Sequence, residues 1–243
     1  MSPPIVVQVV VDKPLAQGFD YLWDAQKLGL EPKIGQLVAV PFGRSLLIGI
    51  VIKVSAHSDF DIKKLKEVEA IAPLPPLDSA ALRLMNFASQ YYIHALGETI
   101  IPTIPQMWKK PEDWEKIPKK LAAAEVRKKK NSENALSEGF ISASKLNEEQ
   151  KSALHELGKC SAEKTFKAIL LQGQTGSGKT AVFLNWLSGI LENEDAQVLL
   201  LVPEINLTPQ LERRVRAYFP DKKMVVLHSG VSEKVRGIAW HEA

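Results

Sequence analysis

The eight residues Gly173-Gln174-Thr175-Gly176-Ser177-Gly178-Lys179-Thr180 constrain this chain more than any other stretch. They fit G-x-x-x-x-G-K-[ST], a loop whose glycines let successive backbone N–H groups turn inward around phosphate oxygens. Such a loop belongs between a strand and a helix, because the helix N-terminus adds its positive end to the same anion. Both flanks comply. Lys167–Gln172 is a short apolar run that reads as a buried strand, and Ala181–Leu191 carries Val182, Leu184, Leu187 and Leu191 at helical spacing. The pattern predicts a chain that binds a nucleoside triphosphate, or descends from one that does. The backbone from Gly173 to Gly178 cradles the phosphates, Lys179 reaches the β- and γ-phosphates, and the Thr180 hydroxyl ligates the accompanying Mg²⁺.

Downstream, Gln197–Val202 and Met224–Leu227 read as two more buried strands, and Thr208-Pro209 opens the helix between them. Strand and helix alternating through short connections predict a parallel sheet with right-handed crossovers. Ligands of such sheets sit beyond the carboxyl ends of the strands. The phosphate loop, Pro203-Glu204 and His228-Ser229-Gly230 are therefore expected on one edge. Upstream, Asn147 and Gln150 have the spacing of a capping box. The Gln150 amide, 23 residues before Gly173, also suits an adenine edge, because it donates and accepts at once. Both roles can coexist.

The N-terminal residues have a different character. Ile5–Val11, Gln36–Phe42 and Leu46–Val54 are strand-like runs, the last two joined by a tight turn at Gly43-Arg44-Ser45. Asp78–Tyr92 places Leu82, Met85, Ala88 and Tyr92 on one helical face. Residues 1–107 are thus expected to form a small β-rich domain. Between Lys109 and Lys130, nine Lys/Arg face four Asp/Glu, with Trp108 and Trp114 close by. Two readings stay open: a solvated linker over 108–145, or a basic aromatic segment that meets a nucleic-acid backbone. Residues 146–243 would be the phosphate-loop lobe. The expected fold class is α/β, a small β-rich domain followed by a partial parallel lobe.

Bulk properties exclude several classes. The net charge of +3 does not by itself argue for a polyanion partner. The single cysteine, Cys160, rules out a disulfide framework or a cysteine-based zinc site within these residues and suits a reducing compartment. The apolar runs are far too short for a membrane span, and Met1-Ser-Pro-Pro lacks the basic start of a signal peptide. A cytoplasmic protein without a membrane partner is expected.

Three stretches, Leu171–Thr180, Leu201-Val-Pro-Glu-Ile-Asn-Leu-Thr-Pro-Gln210 and Leu227-His-Ser-Gly230, together resemble superfamily 2 DNA helicases. The middle run looks specifically like the primosomal replication-restart helicases. Pro14-Leu-Ala-Gln-Gly-Phe19-Asp20-Tyr21, Val40-Pro-Phe-Gly-Arg44, Leu65–Val68 and Tyr91-Tyr92 are similar to the 3′-DNA-binding domain of that family. The resemblance implies an ATP-dependent 3′-to-5′ helicase that assembles the primosome at stalled or branched forks. It implies that Phe19, Asp20, Gly43 and Lys66 pocket a 3′ end. Phe19 would stack on the terminal base, Asp20 accept from the 3′-hydroxyl, Gly43 admit a close backbone, and Lys66 pair with a phosphate. Thr208, Gln210, His228 and Ser229 would touch the DNA strand.

The implied partners are forked DNA with a 3′ end, single-stranded DNA, primosome proteins and single-stranded-DNA-binding protein, at the bacterial nucleoid. The implied cofactors are ATP and Mg²⁺. Zinc is expected in full-length members, but its paired cysteines are absent from this chain. Other departures count too. Too few residues separate Pro105 from Leu146 for the winged-helix domain of the family, and no Asp-Glu-x-His box or second lobe follows. The expectation is a truncated chain that binds DNA but neither hydrolyses ATP nor unwinds. The alternative is a stand-alone DNA-end-binding module with the phosphate loop as a non-hydrolysing scaffold. A kinase or protein-remodelling ATPase is the third reading, disfavoured by Thr208-Pro209-Gln210 and His228-Ser229-Gly230.

Overall fold

The structure, a computed structural model, describes residues 4–123, 146–163, 165–202 and 208–242. They fall into two compact units, one comprising Met1–Lys130 with Ser229–Ala243, the other Asn131–His228.

The first unit is organised by five antiparallel strands, β1 (Ile5–Val11), β2 (Phe19–Trp23), β3 (Leu37–Phe42), β4 (Ser45–Ser55) and β5 (Ala70–Ile71), with the short helix α1 (Ala25–Leu28) after β2. Their order is β2-β1-β4-β3-β5. One segment seals both sheet edges. The Leu22 N–H donates to the Lys66 carbonyl at 2.9 Å and the Val68 N–H to the Leu22 carbonyl at 3.0 Å, while the Glu69 N–H donates to Ala39 at 2.9 Å. The sheet thereby rolls into a small barrel with no free edge between β2 and β5. Its interior holds Val7, Val9, Tyr21, Trp23, Val38 and Val68. β1 is apolar on both faces except at Gln8, because its outer face is covered around Val10 as well. Val10, Ile48 and Ile50 pack there with Ile100, Ile104 and Trp108.

That cover comes from α2 (Ser79–Tyr92), α3 (Leu96–Ile100), three 3₁₀ turns between Ile101 and Lys116, and α4 (residues 117–123). Asp78 caps α2, its carboxylate accepting from the Ala81 N–H at 2.7 Å. α3 lies directly on β1: a Cβ at Gly97 would stand 1.8 Å from the Val11 carbonyl oxygen. Leu82 and Met85 pack onto the barrel as their spacing predicts. Tyr92, expected on the same face, is the last residue of the helix and is 67% exposed. Ile93 then closes α2 in the left-handed conformation, φ 56°, with its N–H on the Ser89 carbonyl. A β-branched residue there is strained by about 1–2 kcal/mol, of which glycine recovers part after its unfolded-state entropy. Ile93→Gly is expected to raise stability by roughly 0.5–1 kcal/mol; a lower thermal midpoint would refute the strain.

The linker reading needs correction at its start. Trp108 is fully buried and Trp114 nearly so, and both indoles are satisfied. Trp114 donates to the Trp108 carbonyl at 2.9 Å, and Trp108 to the Gly237 carbonyl at 3.2 Å. Buried indoles need an acceptor and apolar cover, which a solvated linker does not provide. Neither ring is free to stack on a base. The residues from 108 to 123 belong to the barrel unit, and the lysines of 124–145 lie outside the described residues. α8 (Glu233–Glu242), expected in the phosphate-loop lobe, also belongs to the barrel unit, with Gly237 placed so that a Cβ would meet the Met107 sulfur at 2.0 Å.

The second unit contains α5 (Glu148–Ala162), α6 (Lys179–Ile190) and α7 (Thr208–Tyr218). α5 and α6 pack through Leu157, Val182 and Leu184, and the Trp186 indole donates to Ser161 Oγ at 2.6 Å. The mixed α/β class holds, with the described strands all in the first unit. Lys167–Gln172, Gln197–Val202 and Met224–Leu227 carry no strand ladder, and Leu170, Leu199 and Leu201 are all more than 80% exposed. A parallel sheet needs helices on both faces to bury its apolar runs. Among the described residues of this unit, these runs have no such cover.

Candidate functional site

The phosphate loop has the geometry its sequence demands. Gly176 and Gly178 take φ of 85° and 83°, which only glycine adopts without strain. Gly178 is the N-cap of α6, and no side chain caps that helix, so its first-turn N–H groups are available to an anion. The Lys179 ammonium folds back onto the loop, donating to the carbonyls of Gly173 at 2.5 Å and Gln174 at 2.8 Å. Thr180 follows in the first turn of α6. These residues fit a nucleotide phosphate with its magnesium, the lysine exchanging loop carbonyls for phosphate oxygens. Among the described residues no cluster of His, Cys, Asp or Glu has the makings of a metal site.

Gln150 and Asn147 form the predicted capping box of α5: the Gln150 N–H donates to Asn147 at 2.8 Å, and Asn147 donates its own N–H to Gln150 Oε1 at 2.9 Å. The Gln150 amide also does something the sequence does not suggest, donating from Nε2 to the Ser177 carbonyl at 2.9 Å. It buttresses the loop from behind; a Cβ at Gly178 would sit 2.3 Å from it. Each amide atom makes one of these bonds, which leaves one N–H and one lone pair for an adenine edge.

The four residues expected around a DNA 3′ end divide between two faces of the barrel wall. Phe19 packs edge-on against Phe42, ring centroids 5.2 Å apart, on the interior side. Phe42 leads into the two-residue turn at Gly43 and Arg44, where Gly43 takes φ 59°, and the Lys66 ammonium reaches the Gly43 carbonyl at 3.3 Å. Phe19, Gly43 and Lys66 thus meet at one rim. Nearby, the Tyr21 hydroxyl donates to the Pro41 carbonyl at 3.3 Å, and burial holds its pKa above the ordinary phenol value, keeping it a donor. Asp20 follows Phe19 in the strand and so points to the opposite face. It opens into a polar depression of about 150 Å³ lined by Gln8, Lys53, Ser55, His57, Ser58 and Asp59. The Ser58 hydroxyl donates to Asp20 Oδ2 at 2.6 Å.

The remaining strand-contact residues are less gathered. Gln210 is exposed in the first turn of α7, which begins at Thr208. His228 ends the second unit and Ser229 begins the C-terminal stretch of the first. Pro203 and Glu204 lie outside the described residues.

Comparison with known proteins gives one match in each part of the chain. Residues 8–105 match the PriA 3′DNA-binding domain (3′BD), and residues 143–238 match the res subunit of type III restriction enzymes. The replication restart protein PriA of Haemophilus influenzae is 27% identical over 98% of this chain and 40% of its own length. That of Treponema pallidum is 30% identical over 96% of this chain and 33% of its own length. The chain is a relative of PriA. The PriA of Synechocystis is 46% identical over a shorter stretch, 32% of this chain and 9% of that protein. Against the first two PriA relatives, the chain spans between a third and two fifths of their length. The match to the PriA 3′BD ends at residue 105, just before the buried Trp108 that extends the barrel unit. The second match runs to residue 238, within α8. No described helix is long and apolar enough to cross a membrane.

Lys53, His57 and Ser58 stand in no motif of the sequence. Only the pairing of β2 with β1 and β1 with β4 carries them to Asp20, and no local motif marks that pairing.

Proposed function

We propose that this chain works as the N-terminal portion of an ATP-dependent DNA helicase of replication restart, translocating 3′ to 5′. Its barrel unit binds the 3′ end of a strand at a fork, and its Gly173–Thr180 loop binds the phosphates of ATP with Mg²⁺. The observation that carries this reading is the presence, in one chain, of a match to the PriA 3′DNA-binding domain and a helix-capping phosphate loop of the required geometry. Phe19, Asp20, Gly43 and Lys66 serve the DNA end; Thr208, Gln210, His228 and Ser229 serve the strand in the helicase segment. Primosome proteins, single-stranded DNA and its binding protein are the partners of that activity, carried out in the bacterial cytoplasm on the nucleoid.

Asp20 is the residue to test. Its carboxylate accepts from a free 3′-hydroxyl, and with Asp59 beside it disfavours a terminal phosphate by like-charge repulsion. A fork ending in a 3′-hydroxyl is expected to bind more tightly than the same fork ending in a 3′-phosphate. Asp20→Ala is expected to reduce that preference about 10- to 100-fold, the value of a hydrogen bond to a charged group. Equal binding of both ends by the unaltered protein, at fixed salt, would sink the reading.

A further inference from the structure

The polar depression on the outer barrel wall contains side chains that the reading above does not use. Register places Asp20, Gln8 and Lys53 in one row across β2, β1 and β4, all on the face opposite Phe19. Ser58, in the loop after β4, closes the depression, and its hydroxyl is tied twice. It donates to Asp20 Oδ2 at 2.6 Å and accepts from the Phe60 N–H at 3.1 Å. Ser55 braces the same loop by accepting from the His57 N–H at 3.0 Å. A hydroxyl-to-carboxylate bond this short is charge-assisted and fixes the carboxylate plane. It also uses one oxygen, leaving Oδ1 without a hydrogen bond among the described residues.

We propose that Ser58 is a positioning residue for DNA-end recognition, holding Asp20 so that one carboxylate oxygen faces the 3′-hydroxyl, while Lys53 binds the phosphate on the 5′ side of the terminal sugar. The inference rests on the reading of Asp20 as the acceptor of that hydroxyl. The size of the depression supports it: about 150 Å³ is well below the roughly 300 Å³ at which pockets enclose whole small molecules, so it admits a sugar edge rather than a base. Lys53 stands two strands from Asp20, roughly 10 Å, and its flexible four-carbon stem spans the gap to a neighbouring phosphate. Its ammonium makes no hydrogen bond or ion pair among the described residues, so a phosphate gains it without displacing a partner.

The test uses the full chain and forks ending in a 3′-hydroxyl or a 3′-phosphate. The readout is the ratio of the two affinities for the unaltered protein, Asp20→Asn, Ser58→Ala, Ser58→Thr and Lys53→Ala. Ser58→Ala is expected to lower the ratio several-fold, with binding of the phosphate-ended fork unchanged; Ser58→Thr, which keeps the hydroxyl, retains it. A merely structural role for Ser58 would shift the melting temperature and leave the ratio alone. Lys53→Ala is expected to weaken both forks alike and to reduce the salt dependence by about one phosphate contact. If Asp20→Asn erases the ratio while Ser58→Ala keeps it, the role of Ser58 is refuted and the DNA-end reading stands. If Asp20→Asn also keeps the ratio, the DNA-end reading falls. Unchanged binding and salt slope in Lys53→Ala overturn the phosphate contact. Should Ser58→Ala prove unfolded by circular dichroism, Ser58→Val against Ser58→Thr makes the same comparison at matched shape.

Discussion

Trp108→Ala is expected to cost about 3–5 kcal/mol of stability, the range for emptying a buried large aromatic site. The effect has three sources. The indole is fully buried among Ile100, Ile104 and the outer barrel residues, so its removal leaves a cavity too well walled to collapse. The Gly237 carbonyl loses its donor, and with it α8 loses its hydrogen bond to the 3₁₀ turn at Gln106–Trp108. The Trp108 ring also lies 5.6 Å from the His241 ring, a second contact on the same helix. Urea unfolding followed by far-UV circular dichroism checks this. A midpoint within error of the unaltered protein would return Trp108 to the status of a linker residue. Trp114→Phe, which keeps an aromatic ring while removing the bond to the Trp108 carbonyl and part of the indole volume, is the milder control.

Lys179→Ala is expected to weaken ATP binding about 10- to 100-fold, as the loss of charge-assisted bonds to phosphate implies. The starting state matters for the size. Here the ammonium is already satisfied by two loop carbonyls, and binding exchanges those bonds for phosphate oxygens instead of creating them from nothing. The effect therefore belongs to the middle of that range and not beyond it. Gly178→Val should be as damaging by a different route, since the position has φ 83° and its Cβ would collide with the Gln150 amide. Titration of a fluorescent ATP analogue in Mg²⁺ measures both. Equal affinity for the unaltered and Lys179→Ala chains would favour the reading of the loop as a scaffold.

What could be read in the sequence was local. The phosphate loop, the capping box at Asn147 and Gln150 and the turn at Gly43-Arg44 depend on residues within a few positions of one another, where backbone sterics and short hydrogen bonds decide the outcome. The helical face of Leu82 and Met85 was legible for the same reason, whereas Tyr92 at the helix end was not. The three apolar runs of the second unit show the limit of that logic. Their composition is that of buried strands, but burial is a property of neighbours, and among the described residues these runs carry no ladder and stay largely exposed.

The sequence alone determined that this chain carries a phosphate-binding loop on a helix N-terminus and a β-rich domain similar to that of PriA. Only tertiary structure decided that the barrel closes through Leu22 and Val68, that Trp108 and α8 belong to it, and that Asp20 and Phe19 lie on opposite faces. The physical reason is the range of the forces. Turn and cap chemistry acts within a few residues. The closure of a sheet, the filling of a cavity and the meeting of Asp20 with Ser58, 38 residues on, depend on strand register and packing that no single stretch encodes.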